Sequence, residues 1–151
     1  MDVFDEVQKI WETITRSENI SNKEFNLSVQ RQLLHIFHVG NYFSYIVNLR
    51  RSVIEQISQE VTAMLGYKPE EITIPFLVGK MHPHDVAYFL NFETAVERFF
   101  GDKSGNELFK YKVQYDFRLK GAGGNYVRLL HQFMIIQHDV NDVRTFVVDT
   151  E

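Results

Sequence analysis

The most regular pattern of apolar and polar residues covers residues 111–137 and predicts a long β-hairpin. Over residues 111–120 apolar and polar side chains alternate one by one, which places them on opposite faces of a strand. Residues 121–125 are rich in glycine and break this period, so the chain can reverse there. In the return strand, residues 126–137, apolar residues occupy both phases. We therefore predict that both faces of this strand are covered, one by the core of the domain and the other by a second element of this chain or of a partner.

Apolar residues recur every three or four positions over residues 2–16 and predict an amphipathic helix. Two heptads are too few to establish a coiled coil, so the helix could pack on its own domain or contact a second copy. We expect it to cover the outer face of the hairpin and to serve dimerisation and signalling. The face that would do so consists of Val3, Val7, Ile10, Trp11 and Ile14.

The remaining elements are shorter, apart from one long helix. A connector over residues 16–26 and a helix over 28–38 lead to a first hairpin of strands at 41–49 and 53–57. A short helix follows Ser58, a helical turn covers residues 67–72, and a long helix runs from His82 to about Phe100. A last strand covers residues 143–148. The apolar stripe of the long helix consists of Phe89, Phe92, Val96 and Phe99.

Length and composition favour one globular domain of 151 residues. Sixteen basic and 20 acidic residues give a net charge of −4, which is the wrong sign for binding nucleic acid directly. The chain has no cysteine, which excludes disulfides and thiolate metal sites. No apolar run is long enough to span a membrane, and the acidic N-terminus lacks the basic start of a signal peptide, so we expect a cytoplasmic protein with no membrane contact.

A pair of histidines beside an aspartate, His82, His84 and Asp85, is the most concentrated group of metal ligands or proton carriers. Pro83 between the histidines and Asp85 after them are also typical of a helix start. Residues 82 and 84 do not share a helix face, and the spacing suggests no third ligand. We interpret the group as structural and predict no metal site.

Three stretches together resemble the PAS sensory domains: residues 57–72, with the sequence ISQEVTAMLGYKPEEI, the His82-Pro83-His84-Asp85 segment, and the glycine-turn hairpin over 111–137. The resemblance covers residues 41–151 and leaves residues 1–40 as an N-terminal helical lead-in. It implies an α+β fold, with a five-stranded antiparallel sheet that carries short helices and one long helix on one face.

A helical lead-in before such a domain is similar to the sensory part of bacterial LuxR-type transcriptional regulators. This resemblance implies a regulatory domain, a homodimer, and a DNA-binding output domain that is fused to it or supplied by a partner. No helix-turn-helix follows the last strand before Glu151, so we expect the chain to be a fragment of such a regulator.

In the PAS family the space between sheet and helices can hold a small molecule or be filled by side chains. His131 is the best polar candidate, since it shares the phase of apolar residues in its strand, although a half-buried histidine or an aromatic core needs no ligand. No cofactor is predicted, and the lack of cysteine excludes cysteine-linked flavin photochemistry. The candidate pocket residues are His131, Phe89, Phe92, Val96, Leu129 and Phe133.

Three functions follow from these patterns. The first is a sensory domain without catalytic residues, and the second is a ligand-free module for protein interaction or dimerisation. The third is a small NTF2-like enzyme in which His131 and Asp116 act as acid and base. Their opposite phases in the hairpin make this enzyme the weakest of the three.

Overall fold

The computed structural model describes residues 2–15 and 40–151. The predicted connector at 16–26 and the predicted helix at 28–38 lie outside these residues. The helices are α1 (Val3–Thr15), α2 (Glu60–Leu65), α3 (Ile74–Lys80) and α4 (Val86–Gly101), with 3₁₀ turns at Pro69–Glu71 and Gly105–Phe109. The strands are β1 (Tyr42–Asn48), β2 (Val53–Glu55), β3 (Val113–Lys120), β4 (Tyr126–His138) and β5 (Val143–Thr150).

The five strands form one antiparallel sheet in the order β2-β1-β5-β4-β3. The expected five-stranded α+β architecture is confirmed. β3 and β4 form the predicted hairpin, and its turn closes where the Gly121 N–H donates to the Asn125 carbonyl at 2.8 Å. The pairing of β4 with β5 shifts between Ile135 and Gln137, which changes the phase of the last residues of β4.

The long helix α4 begins at Val86, four residues later than predicted. The segment before it makes a turn whose Asp85 carboxylate accepts hydrogen bonds from the Arg118 backbone N–H at 2.9 Å and from its guanidinium at 2.8 and 2.9 Å. These bonds lower the pKa of Asp85 and tie the start of α4 to β3. Within residues 2–15 and 40–151, no three His, Cys, Asp or Glu side chains are grouped so that they could hold a metal ion.

Helix α3 was not predicted from the sequence. It begins with Thr73, whose hydroxyl accepts from the Phe76 backbone N–H at 3.2 Å, and Pro75 stands in its first turn. Its seven residues are too few to show a helical period clearly, so the sequence pattern does not indicate this helix.

The outer face of the sheet is apolar over part of its area. Ile46, Ile136, Phe146 and Val148 form a buried cluster there, separate from the main core. Tyr126 and Leu130, in contrast, are about 40% exposed. The prediction that both faces of the return strand are covered is therefore right only for the C-terminal half of β4.

Helix α1 does not cover this outer face, and that expectation is wrong. It packs against α3 and α4 on the opposite, inner side of the sheet, where Val7, Trp11 and Ile14 join the main core. Their side chains fill space between α4 and the sheet, while Val3 and Ile10 are only partly buried. None of the helices in the described ranges is both long and apolar enough to cross a membrane.

Candidate functional site

A row of polar side chains crosses the inner face of the sheet. The strand pairing places Tyr115 directly opposite His131, and His131 directly opposite Asp149. The Nδ1–H of His131 donates to Asp149 Oδ1 at 2.7 Å, and the Tyr45 hydroxyl donates to Oδ2 at 2.9 Å. Asp149 is fully buried, so these two donors from β4 and β1 satisfy a carboxylate that has no access to solvent.

A second buried carboxylate, Glu93 on α4, connects three elements. Its side chain is only 4% exposed. The Tyr115 hydroxyl on β3 donates to one carboxylate oxygen, and the Trp11 indole N–H on α1 donates to the other at 3.2 Å. Glu93 is thus one polar contact that attaches the N-terminal helix to the interior of the domain.

The two carboxylates set the protonation of their neighbours. Burial disfavours a charged His131, but the attraction and hydrogen bond of Asp149, with the charge of Glu93, outweigh it and raise the pKa of His131. Burial, reinforced by the neighbouring carboxylates, raises the pKa values of Tyr45 and Tyr115 well above their ordinary range. Both tyrosines therefore remain protonated donors at neutral pH.

A cavity of about 70 Å³ lies beside this network. Its wall includes Val7, Trp11 and Ile14 of α1, together with Glu93 and His131. The space can hold water molecules, but it is smaller than the roughly 150 Å³ of an apolar cavity that binds benzene. A ligand larger than a few atoms can enter only if part of this wall moves.

The structure brings some of the predicted pocket residues together and separates others. Leu129 lies elsewhere in the core, opposite Phe117 in the hairpin. Phe92 does not line the cavity, because it is 37% exposed and stacks on Tyr115. The four that border the cavity are Phe89, Val96, His131 and Phe133.

The predicted stripe of α4 is right at Phe89 and Val96 and wrong at Phe92 and Phe99. The buried face of the helix runs through Phe89, Glu93, Val96 and Phe100, whereas Phe99 is 42% exposed. The spacing of four, three and four residues follows the helical period of 3.6 closely. An apolar stripe takes Phe92 and Phe99, each one position before a buried residue, and leaves out Glu93 because it is charged.

The acid and base pair of the enzyme hypothesis is not formed. Asp116 lies on the opposite face of the sheet from His131, where its half-exposed carboxylate pairs with Arg128 at 2.6 Å. The carboxylate beside His131 is Asp149 instead. The NTF2-like arrangement of His131 with Asp116 is therefore wrong.

The sequence analysis did not identify Glu93 and Asp149, although the sequence contains a signal for both carboxylates. Glu93 comes four residues after Phe89 and three before Val96, and Asp149 is in phase with the buried positions of β5. A carboxylate in an apolar phase needs buried donors. The sequence does not show which donors these are, because Tyr45, Tyr115 and Trp11 come from three other elements.

Neither a protein-family model nor a curated protein matches the chain. Solved structures do. The N-terminal domain of a diguanylate cyclase with PAS/PAC sensor from Marinobacter aquaeolei aligns with a TM-score of 0.55 and 18% identity, over 73% of this chain and 93% of that one. A sensory box histidine kinase/response regulator from Burkholderia thailandensis E264 aligns with a TM-score of 0.54 and 14% identity, over 80% and 82%.

A domain of a histidine kinase from Haloarcula marismortui gives a TM-score of 0.52 at 14% identity, over 80% of this chain and 97% of that domain. The chain has a PAS fold. At these identities the likeness applies to the fold alone. The shared fold agrees with the five-stranded sheet and the single long helix that the sequence resemblance implied for residues 41–151.

Proposed function

We propose that the chain is a sensory domain of a signal-transduction protein, in which a change in the inner cavity is transmitted through α1. One observation carries this proposal: α1, which is not part of the sheet, forms a wall of the cavity and is bonded to the buried Glu93. Because only about 70 Å³ is free, a larger molecule enters only if part of the wall moves, and in this proposal the part that moves is α1. Occupancy of the cavity and docking of α1 are thereby coupled.

The output that we propose is transcription. In this proposal the chain is the cytoplasmic regulatory part of a LuxR-type regulator, acts as a homodimer and does no catalysis itself. The similarity of the lead-in and the PAS-like stretches to such regulators supports it, and the net charge of −4 leaves DNA contacts to a separate output domain. Light scattering tests the homodimer, which a monomeric mass at all concentrations contradicts.

The mechanism is a shift between two populations, with α1 docked or released. A ligand shifts them only by the difference between its affinities for the two states. A molecule that occupies the place of α1 side chains binds the released state alone, so it meets this requirement.

Native mass spectrometry of the protein purified from its own host, combined with hydrogen exchange, tests the sensory function. We expect a bound small molecule whose removal slows exchange of the α1 amides, because α1 then docks. Amides of the central strand β5 serve as the control and should not change. Exchange in α1 that is the same with and without the bound molecule would contradict the proposal.

A ligand-free interaction module is the second candidate, and the small volume of the cavity favours it. In this version a partner protein, and not a small molecule, captures α1 in its released state. Protein from the host would then carry no small molecule, and α1 would exchange faster only when the partner is added. A molecule that copurifies reproducibly excludes this version.

A further inference from the structure

Trp11 holds a position in the interior that matches what a small ligand would need. Its ring is 7% exposed, and its single N–H points at a carboxylate oxygen of Glu93 at 3.2 Å. A site with apolar walls and one directed polar group is the usual composition of a small-molecule pocket. Trp11 is also the only tryptophan of the chain.

The space around Trp11 becomes large enough for a ligand only when α1 leaves. The cavity of about 70 Å³ lies on one side, and a second cavity of about 160 Å³ lies near the end of α1. Both are bordered by Ile14 of α1 and by Phe100 of α4, so these two side chains lie at their shared boundary. Release of α1 would remove Ile14 from this boundary and add the volume of the Trp11 indole ring, and the combined space approaches the roughly 300 Å³ at which ligand pockets begin.

Glu93 gives this space its chemical preference. When α1 leaves, the carboxylate keeps the Tyr115 hydroxyl but loses the indole N–H. A ligand that covers this oxygen without offering a donor excludes the water that would otherwise bond to it, which is costly, so a ligand that restores the hydrogen bond binds better than one of the same shape that lacks an N–H. Sites built to bind a donor discriminate strongly against analogues without it.

We propose that this site binds a planar aromatic heterocycle with an N–H donor, which replaces the Trp11 indole on Glu93 and releases α1. The inference rests on the proposed sensory function and specifies the class of ligand. Indole is the probe, since it reproduces the ring of Trp11. Benzofuran, which has the same shape without the N–H, is its matched control.

The wild-type chain is titrated with both compounds while hydrogen exchange of α1 is followed. Indole should speed exchange of the α1 amides, and benzofuran should need at least about tenfold higher concentration for the same effect, as expected for a hydrogen bond to a charged group. No response of α1 to indole, or equal responses to both compounds, would overturn the proposal. This titration needs no variant, so misfolding of a variant cannot obscure it.

Two substitutions sharpen the result. Trp11→Ala removes the competing ring and should lower the Kd for indole at least about tenfold, whereas Glu12→Ala on the same helix, which is exposed and borders neither cavity, should leave it unchanged. Glu93→Gln in the Trp11→Ala background should reduce the preference for indole over benzofuran to less than about threefold, because a neutral acceptor replaces a charged one. A preference that survives Glu93→Gln would overturn the role of the carboxylate.

The outcomes separate this inference from the proposed function. If α1 responds to a molecule from the host but not to indole, the sensory function stands and the ligand class is wrong. If α1 responds neither to a molecule from the host nor to indole, the sensory function and the ligand class are both wrong.

Discussion

Asp149 and Glu93 are carboxylates inside an aromatic interior, and each is held by donors from other elements. Removing the charge of Asp149 leaves His131 and Tyr45 without their ionised acceptor. We expect Asp149→Asn to lower the free energy of unfolding by about 2 kcal/mol, since hydrogen bonds to charged groups contribute more than neutral ones. Urea denaturation measures this change.

Asp116→Asn is the matched control for this substitution. It makes the same chemical change on the exposed face of the sheet, where Asp116 pairs with Arg128 and both side chains are more than half exposed. Exposed ion pairs contribute at most about 1 kcal/mol. An equal loss of stability in the two variants would show that burial of the Asp149 network has no special energetic role.

His131 should make stability depend on pH above 6.5. Its pKa is raised in the native state above the ordinary value of 6.5, so the native state binds more protons than the unfolded state between these two values. The stabilisation is complete below pH 6.5 and is lost as pH rises through the native pKa, by at most about 1.4 kcal/mol per pH unit.

Other groups act in different ranges of pH. Burial lowers the pKa of His138, with a further contribution from Arg50, so His138 affects stability below pH 6.5 and with the opposite sign. The buried tyrosines have raised pKa values and titrate only in strongly alkaline solution.

Urea denaturation at a series of pH values from 6.5 to 9 measures the slope of the free energy of unfolding against pH that His131 should produce. Asp149→Asn should flatten it, and an unchanged slope in that variant would assign the dependence to a group other than His131.

At the scale of elements, the β3–β4 hairpin was predictable because strand alternation is a local pattern and glycines mark its turn. The position of α1 was not. Its apolar face was identified correctly, but an amphipathic face indicates only that a helix is covered, and nothing local selects the inner or the outer side of the sheet. Trp11 meets Glu93 across 82 positions of sequence, a contact that no periodicity reveals.

Apart from His131, the polar part of the candidate site was not predictable. His131 and Phe133 were placed correctly beside the cavity because they share one phase of β4. Asp149 lies opposite His131 through the register of β4 on β5, which depends on the whole sheet. The bulge after Ile135 further changes the phase of His138, and a bulge leaves no clear signal in this apolar strand.

The end of helix α2 contacts the hairpin turn, and Gly66 makes this contact possible. Gly66 has φ of +84°, and a Cβ added to it would lie 2.9 Å from the Cβ of Ala122, whose N–H donates to the Leu65 carbonyl at 2.7 Å. Gly66→Ala should destabilise the protein by about 2 kcal/mol, because a left-handed conformation costs about 1–2 kcal/mol for alanine and the methyl groups overlap.

Gly79→Ala provides a control of opposite sign. Gly79 is helical, lies in α3, and would have no neighbour within 4 Å of an added Cβ. Alanine there should stabilise by up to about 1 kcal/mol. Thermal denaturation of the two variants measures both effects, and a stabilising Gly66→Ala would refute the role assigned to this junction.

At the scale of the whole molecule, α1 and the sheet differ in how they are held. Strands β4 and β5 each have hydrogen-bonded neighbours on both sides, whereas backbone hydrogen bonds of α1 run mainly within the helix. Docking of α1 depends chiefly on its three buried apolar side chains, each contributing about 1.5–3 kcal/mol, and is opposed by the entropy of ordering the helix. The free energy for releasing α1 should therefore be only a few kcal/mol.

We expect hydrogen exchange in increasing urea to show α1 opening alone, at a lower free energy and with a weaker dependence on urea than β4 and β5, which should exchange through global unfolding. If the amides of α1 and β5 exchange with the same opening free energy and the same dependence on urea, α1 does not open before the sheet and the prediction is wrong. The free energy of releasing α1 matters for sensing. A ligand that shifts the two populations from 1:99 to 99:1 must bind one state more tightly than the other by about 5.5 kcal/mol. A helix released at a few kcal/mol lies within the range that a small ligand can switch, and a helix that opens only with the sheet does not.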